Sequence, residues 1–337
     1  MAAPEIKVVI VAMFEPGAGQ PGELTYFRAA FGLRPWSVPG LPAEAVWRND
    51  EGVAALVAGV GPVNTAVNVL TLGLAAEADF RRAYWLVAGV AGGNPAACSL
   101  GSPVWADWVV DGDLAHDFHP ADCPPTWETG ILPLGAREPY VRASATGGEF
   151  GDPAQVFALN RGLAAWAHAQ TRALPLFDSP ELAAARAPFA ALGTGGEPPA
   201  VRLGATLSSA RFWNGARHQA WAEKWVAFWT RGQGAFFTSG MEDSGTLGAL
   251  TRLGGLGRAD PRRALVLRTV SNYTVPPPGA LASAALLGEP GETKPVSFPG
   301  LSPALENGGR AGTAVVGALL TDWDRWRDSL PSEPPGW

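Results

Sequence analysis

Apolar residues occur in runs separated by glycine- and proline-rich breaks. Ile6–Met13 is apolar after a single charge, Lys7, as expected of a strand buried on both faces. Val53–Gly59, Tyr84–Gly89 and Pro103–Val110 repeat that character. Gly61-Pro62 then interrupts the pattern, and Val63–Leu74 carries apolar residues at helical spacing. Pro62 suits a first helical turn, where its missing N–H costs nothing. Further along, the spacing predicts helices over Pro153–Arg172, His218–Arg231, Met241–Leu253 and Ala311–Arg327. It predicts strands over Val201–Leu207, Gly234–Ser239 and Ala264–Val270. Trp221, Trp225, Phe228 and Trp229 share one face of their helix, which reads as core packing. Phe177–Ala200, rich in Ala, Gly and Pro, reads as an insertion or mobile loop, and Pro331–Trp337 as a frayed tail. Strands alternating with helices predict an α/β fold whose sheet is largely parallel. With no repeat and no clean linker, one domain over 1–337 is expected, with an insertion near 120–200 and a C-terminal helix over 311–327.

Composition narrows the function classes. The chain has 337 residues, of which 47% are hydrophobic and 17% charged, a balance that folds around a sizeable core. Its net charge is −6, with lysines only at Lys7, Lys224 and Lys294, which argues against nucleic acid as a partner. Cys98 and Cys123 are too few for a disulfide scaffold or a cysteine-rich zinc site, though one disulfide between them stays open. Met1-Ala2-Ala3-Pro4 lacks a charged n-region and an apolar h-region, so the chain reads as cytosolic or as the mature form of an exported protein. Gly52–Ala76 and Ala83–Ala106 are long enough to cross a bilayer, but Gly59-Val60-Gly61-Pro62 and Gly92-Gly93-Asn94-Pro95 break them. Backbone freed at such breaks finds no partner in lipid, so no membrane span is expected.

Ligands of open α/β sheets bind at the carboxyl ends of strands. The candidates there are Met13-Phe14-Glu15, Gly59-Val60-Gly61, Gly89-Val90-Ala91-Gly92-Gly93, Met241-Glu242-Asp243 and Ser271-Asn272-Tyr273. None is a Walker loop, and the glycines lack dinucleotide-fold spacing. Ser208-Ser209 lacks a nucleophile elbow. His116, His119, His168 and His218 show no metal-binding pattern, and no metal or cofactor is expected. Taken singly, Glu242 reads as a first-turn helix carboxylate and Asn272 as a turn residue.

Order and context change that reading. The segments Val8–Glu15, Leu56–Ala66, Val87–Phe118, Val201–Gly215, Thr238–Ala249 and Val266–Tyr273 together resemble the nucleoside phosphorylase/nucleosidase superfamily, and within it the purine nucleoside permease group. The glycine-rich segment through Phe118 and the Met241-Glu242 pair are its more specific parts. The resemblance implies a three-layer α/β/α fold around a mixed, largely parallel twisted sheet. It implies that Glu242 grips the ribose 2′- and 3′-hydroxyls over Met241, since a carboxylate accepts both O–H bonds of a cis-diol. Phe212 then stacks on the base, with Trp213, Gly89, Val90 and Asp243 around the substrate. Asn272 falls where many relatives carry Asp as proton donor to purine N7. An amide releases no proton at neutral pH, but it donates a hydrogen bond that stabilises the departing base.

Phosphorolytic relatives hold phosphate by an Arg and a Ser or Thr around the third strand, where this chain has Val87 and Val90. A phosphate dianion beside valines lacks a counter-charge, whereas water needs none. Nucleosidases of the superfamily place a Glu near the first strand end, and Glu15 lies within about a residue of that register. The resemblance therefore implies an N-ribosyl hydrolase of purine ribonucleosides, with Glu15 activating water and Asn272 stabilising the leaving base. A phosphate-dependent phosphorylase is the first alternative, with Arg28, Arg211 or another Arg as phosphate ligand. A non-catalytic nucleoside-binding component of uptake is the second. The implied partners are a nucleoside, water and further copies of the chain, as in a dimer.

Overall fold

The computed structural model describes residues 3–17, 19–141, 152–287 and 298–331. Its strands are β1 (Val8–Ala12), β2 (Arg34–Pro35), β3 (Val46–Arg48), β4 (Val53–Val57), β5 (Tyr84–Gly93), β6 (Pro103–Asp111), β7 (Ala115–Asp117), β8 (Ile131–Pro133), β9 (Val156–Ala158), β10 (Arg202–Ser208), β11 (Phe236–Gly240) and β12 (Ala264–Tyr273). The helices that position the site are α1 (Thr25–Phe31), α2 (Pro62–Leu74), α3 (Asp152–Gln155), α4 (Arg161–Thr171), α5 (Pro180–Arg186), α6 (Ala216–Trp229), α7 (Asp243–Gly255), α8 (Ala282–Leu287) and α9 (Leu301–Thr321).

One mixed sheet runs β2-β3-β4-β1-β5-β12-β6-β10-β11, with β9 added to β6. Pairs β1–β4, β1–β5, β5–β12, β6–β10 and β10–β11 are parallel. The far edge turns back: β11 pairs antiparallel with β5, Ser239 opposite Gly92. Strands β5, β12, β6, β10 and β11 thereby close a ring, and the carboxyl ends of β5, β11 and β12 meet at one corner. Alternation along β1 explains the layers. Val9, Val11 and Met13 enter a core with α2 and α7, while Val8, Ile10 and Ala12 enter another with α1, α4 and α9. The arrangement is the three-layer α/β/α one.

Several elements depart from the sequence expectation. The glycine-rich segment after Gly89 is strand rather than turn, because β5 is paired by β12 and β11 through Gly93. Ser271-Asn272-Tyr273 likewise belongs to β12. The expected helix over Pro153–Arg172 divides into α3, β9 and α4, since Val156–Ala158 pairs with β6 and Asn160 caps α4 by accepting from Leu163 N at 3.1 Å. Phe177–Ala200 is no loose loop: Ser179 caps α5, and Arg186, 3% exposed, is held by Asp178 at 2.6 and 2.9 Å. The last long helix starts at Leu301, ten residues before the expected Ala311, and ends at Thr321; a separate turn, Trp323–Trp326, follows. Cys98 and Cys123 are both free thiols. No described helix is long and apolar enough to cross a membrane. Most of the expected frayed tail, 332–337, and part of the expected insertion, 142–151, lie outside the described residues.

Candidate active site

The corner where β5, β11 and β12 meet holds a buried charge cluster. Arg268 is only 1% exposed in the middle of β12. An unpaired guanidinium there is prohibitively costly, so the fold supplies acids. Its Nε donates to Asp243 Oδ1 and Oδ2 at 3.0 and 3.1 Å, and its Nη2 donates to Glu242 Oε2 at 2.9 Å. Nη1 donates to Val90 O at 3.2 Å. Burial works against the Arg268 charge, but Asp243, Glu242 and Glu23 hold it firmly protonated. Burial also pushes the Asp243 carboxyl up, with Arg268 pulling it back.

Glu23, which the sequence reading did not single out, joins this cluster. It lies just before α1 and is 5% exposed. Its Oε2 accepts from Met13 N at 2.7 Å and its Oε1 from Val90 N at 2.8 Å, so it bridges the end of β1 and the interior of β5. Burial raises its pKa to about 7, against the opposing pull of Arg268 and two backbone N–H groups. Gly89 makes this proximity workable: a Cβ there would sit 2.6 Å from Arg268 Nη1 and 2.7 Å from Glu23 Oε1. Arg268 itself carried a readable signal, because a lone charge inside an apolar strand demands a buried counter-charge.

The expected site residues separate into groups. Glu242, Asp243, Gly89 and Val90 belong to the cluster. Glu242 also accepts from Gly61 N at 3.1 Å and Met241 N at 3.2 Å, which brings the β4–α2 loop to it. Asp243 is fully buried and spends its oxygens on Arg268, so it positions rather than contacts. Met241 is half-buried beside Glu242. Asn272 lies four residues beyond Arg268 on the same strand, β12, opposite Gly92 in register, with its Oδ1 accepting from Ser271 Oγ at 3.0 Å. Phe212 is 48% exposed, its ring 5.8 Å from that of Phe298, which lines a cavity together with Asn272. Trp213 packs instead among His218, Trp221 and Phe236, in the aromatic core that α6 builds.

Glu15 is placed elsewhere. Its Oε1 accepts from Leu24 N at 2.6 Å and its Oε2 from Thr25 Oγ1 at 3.5 Å, so it caps α1. It lines a cavity of about 1080 Å³ with Arg28 and Trp47, and none of its described hydrogen bonds reaches the Glu242–Arg268 cluster. Val87 is fully buried, paired with β1 and β12, whereas Val90 is half-buried and meets the cluster through its backbone N and O. Arg28 stacks 3.7 Å from the Trp47 ring centroid, and Arg211 pairs with Asp117 at 2.8 Å. Among the described residues, no group of three or more His, Cys, Asp or Glu has the geometry to hold a metal.

The fold is shared with solved enzymes of low sequence identity. A 5′-methylthioadenosine/S-adenosylhomocysteine nucleosidase from Neisseria meningitidis, in complex with methylthio-immucillin-A, aligns with TM-score 0.51 at 16% identity over 93% of this chain and 99% of that one. A point mutant of the Helicobacter pylori nucleosidase, with 5′-methylthioadenosine in its active site, gives 0.55 at 14% identity over 93% and 99%. Futalosine hydrolase of Helicobacter pylori gives 0.50 at 14% over 93% and 98%. In sequence, the purine nucleoside permease of Candida albicans is 26% identical over 289 residues, covering 82% of this chain but only 66% of that protein. A probable purine nucleoside permease of Schizosaccharomyces pombe is 24% identical over 82% of this chain and 78% of that one. Residues 5–331 match the family described as purine nucleoside permease (NUP), and the chain belongs to that family.

Proposed function

We propose that the chain is a nucleoside N-ribosyl hydrolase that releases a purine base and ribose from purine ribonucleosides. The observation that carries this reading is the buried Glu23–Glu242–Asp243–Arg268 cluster at the corner of the sheet. Glu242 takes the ribose diol. Three of its roughly four lone-pair sites are in use. One hydroxyl adds directly, and the second replaces the 3.2 Å contact from the neighbouring Met241 N.

Glu23, rather than Glu15, is the proton acceptor in this reading. A base whose pKa is near 7 is well matched to neutral conditions. Water attacks C1′, its proton passes to Glu23, and the C1′–N9 electron pair leaves with the base. Asn272 donates a hydrogen bond to the departing ring, which then takes a proton from solvent.

Electrostatics favour water over phosphate. Three carboxylates surround one arginine whose Nε, Nη1 and Nη2 are all engaged. Each unit charge of a phosphate ~4 Å from a carboxylate would cost about 4 kcal/mol at an effective dielectric of about 20. The nucleosidases that share the fold support the same class of reaction.

The test is incubation of the chain with adenosine, inosine, guanosine and uridine, with and without phosphate, followed by analysis of base and sugar. Free ribose formed at the same rate in both conditions is the expected result. Ribose 1-phosphate formed only with phosphate would make the chain a phosphorylase, and tight binding without cleavage would make it a carrier component.

A further inference from the structure

A cavity of about 190 Å³ lies beside Asn272, walled by Leu100, Phe189, Asn214, Tyr273 and Phe298 among others, with no charged residue in its lining. At ~30 Å³ per water it has room for about six waters, and a flat, neutral heterocycle suits it better. Its polar features come from two asparagines tied to one carbonyl. Asn214 Nδ2 donates to Tyr273 O at 2.8 Å, which fixes the orientation of that amide. Asn214 Oδ1 is then left buried with no donor. Asn272 Nδ2 donates to the same carbonyl at 3.2 Å, and its Oδ1 accepts from Ser271 Oγ at 3.0 Å. An amide nitrogen carries two N–H groups, so Asn272 retains one donor.

One cavity is therefore lined by a residue with a spare donor and a residue with an unmet acceptor. A 6-aminopurine offers the complement on adjacent atoms: N7 accepts and the N6 amino group donates. An asparagine makes this same pairing with adenine in the DNA major groove. A 6-oxopurine presents O6 in that place, so two acceptors would face each other across Asn214 Oδ1, and a buried acceptor left unmet is costly. We propose that Asn214 selects 6-aminopurines over 6-oxopurines at this site. The proposal deepens the reading of the site as a nucleoside site and rests on it.

The test uses the full chain and free bases, so cleavage does not enter. Calorimetric titration is expected to give adenine at least about ten-fold tighter binding than hypoxanthine, the value of one buried hydrogen bond. Equal affinity, a preference for hypoxanthine, or binding of neither base would overturn the proposal. Asn214→Ala, checked for folding by circular dichroism, should bring the ratio close to one. A folded Ala variant with the full ratio assigns selectivity elsewhere. Failure of the hydrolase reading shows separately, as no base released from either adenosine or inosine while the adenine preference persists.

Discussion

Replacing Glu23 by Gln tests the buried carboxylate through two observables. Displacement of its pKa from 4.5 to about 7 by burial corresponds to roughly 3 kcal/mol at about 1.4 kcal/mol per tenfold change in proton affinity. Between pH 4.5 and 7 the folded chain keeps a proton that the unfolded chain has released, so this contribution is full below 4.5 and is lost as pH rises through 7. Glu23→Gln removes that dependence. It also cannot accept from both Met13 N and Val90 N, which costs about 1–3 kcal/mol at every pH. The variant should be less stable than wild type at pH 5, and the gap should narrow or reverse by pH 8. Urea unfolding across that range measures the difference, in which other titrating groups cancel. Base release from adenosine should fall about 10²–10⁴-fold in the variant, as loss of a general base predicts. Parallel stability curves for the two proteins, together with undiminished activity, would refute both the perturbed carboxylate and its catalytic role.

Other substitutions separate the remaining roles. Glu242→Ala should abolish the preference for ribonucleosides over 2′-deoxyribonucleosides; it should also destabilise the fold by about 3–5 kcal/mol, because Arg268 loses a buried partner. Gly89→Ala should disrupt the cluster, since the added Cβ meets Arg268 and Glu23 at under 3 Å; denaturation midpoints and base release should fall together. Glu15→Gln should leave turnover within about two-fold and cost about 1 kcal/mol or less of stability, as expected of a helix-capping side chain.

The layered fold was legible because its strands are apolar runs: β1, β4, β5, β6 and β12 all begin within two residues of their expected starts. The misreadings have physical causes. Pro303, Gly308 and Gly309 look like breakers, yet Pro303 occupies the first turn of α9, and Gly309 lets that helix close on α1, where a Cβ would come within 2.5 Å of Tyr26. Asn160 and Ser179-Pro180 were helix-start signals outweighed by surrounding composition. At the site, Met241-Glu242-Asp243 and Asn272 were legible through resemblance and strand-end position. Glu23 was not, because it follows a glycine- and proline-rich stretch and is distinguished only by burial between β1 and β5, a tertiary property. Glu15, nearer in sequence to the first strand end, took its place in the reading.

The most direct measurement is a crystal structure of the chain grown with a non-cleavable purine C-nucleoside and excess phosphate. The account predicts the ribose 2′- and 3′-hydroxyls on Glu242, an ordered water between Glu23 and C1′, and no phosphate at the cluster. A phosphate seated beside C1′, or a ribose bound away from Glu242, would contradict it.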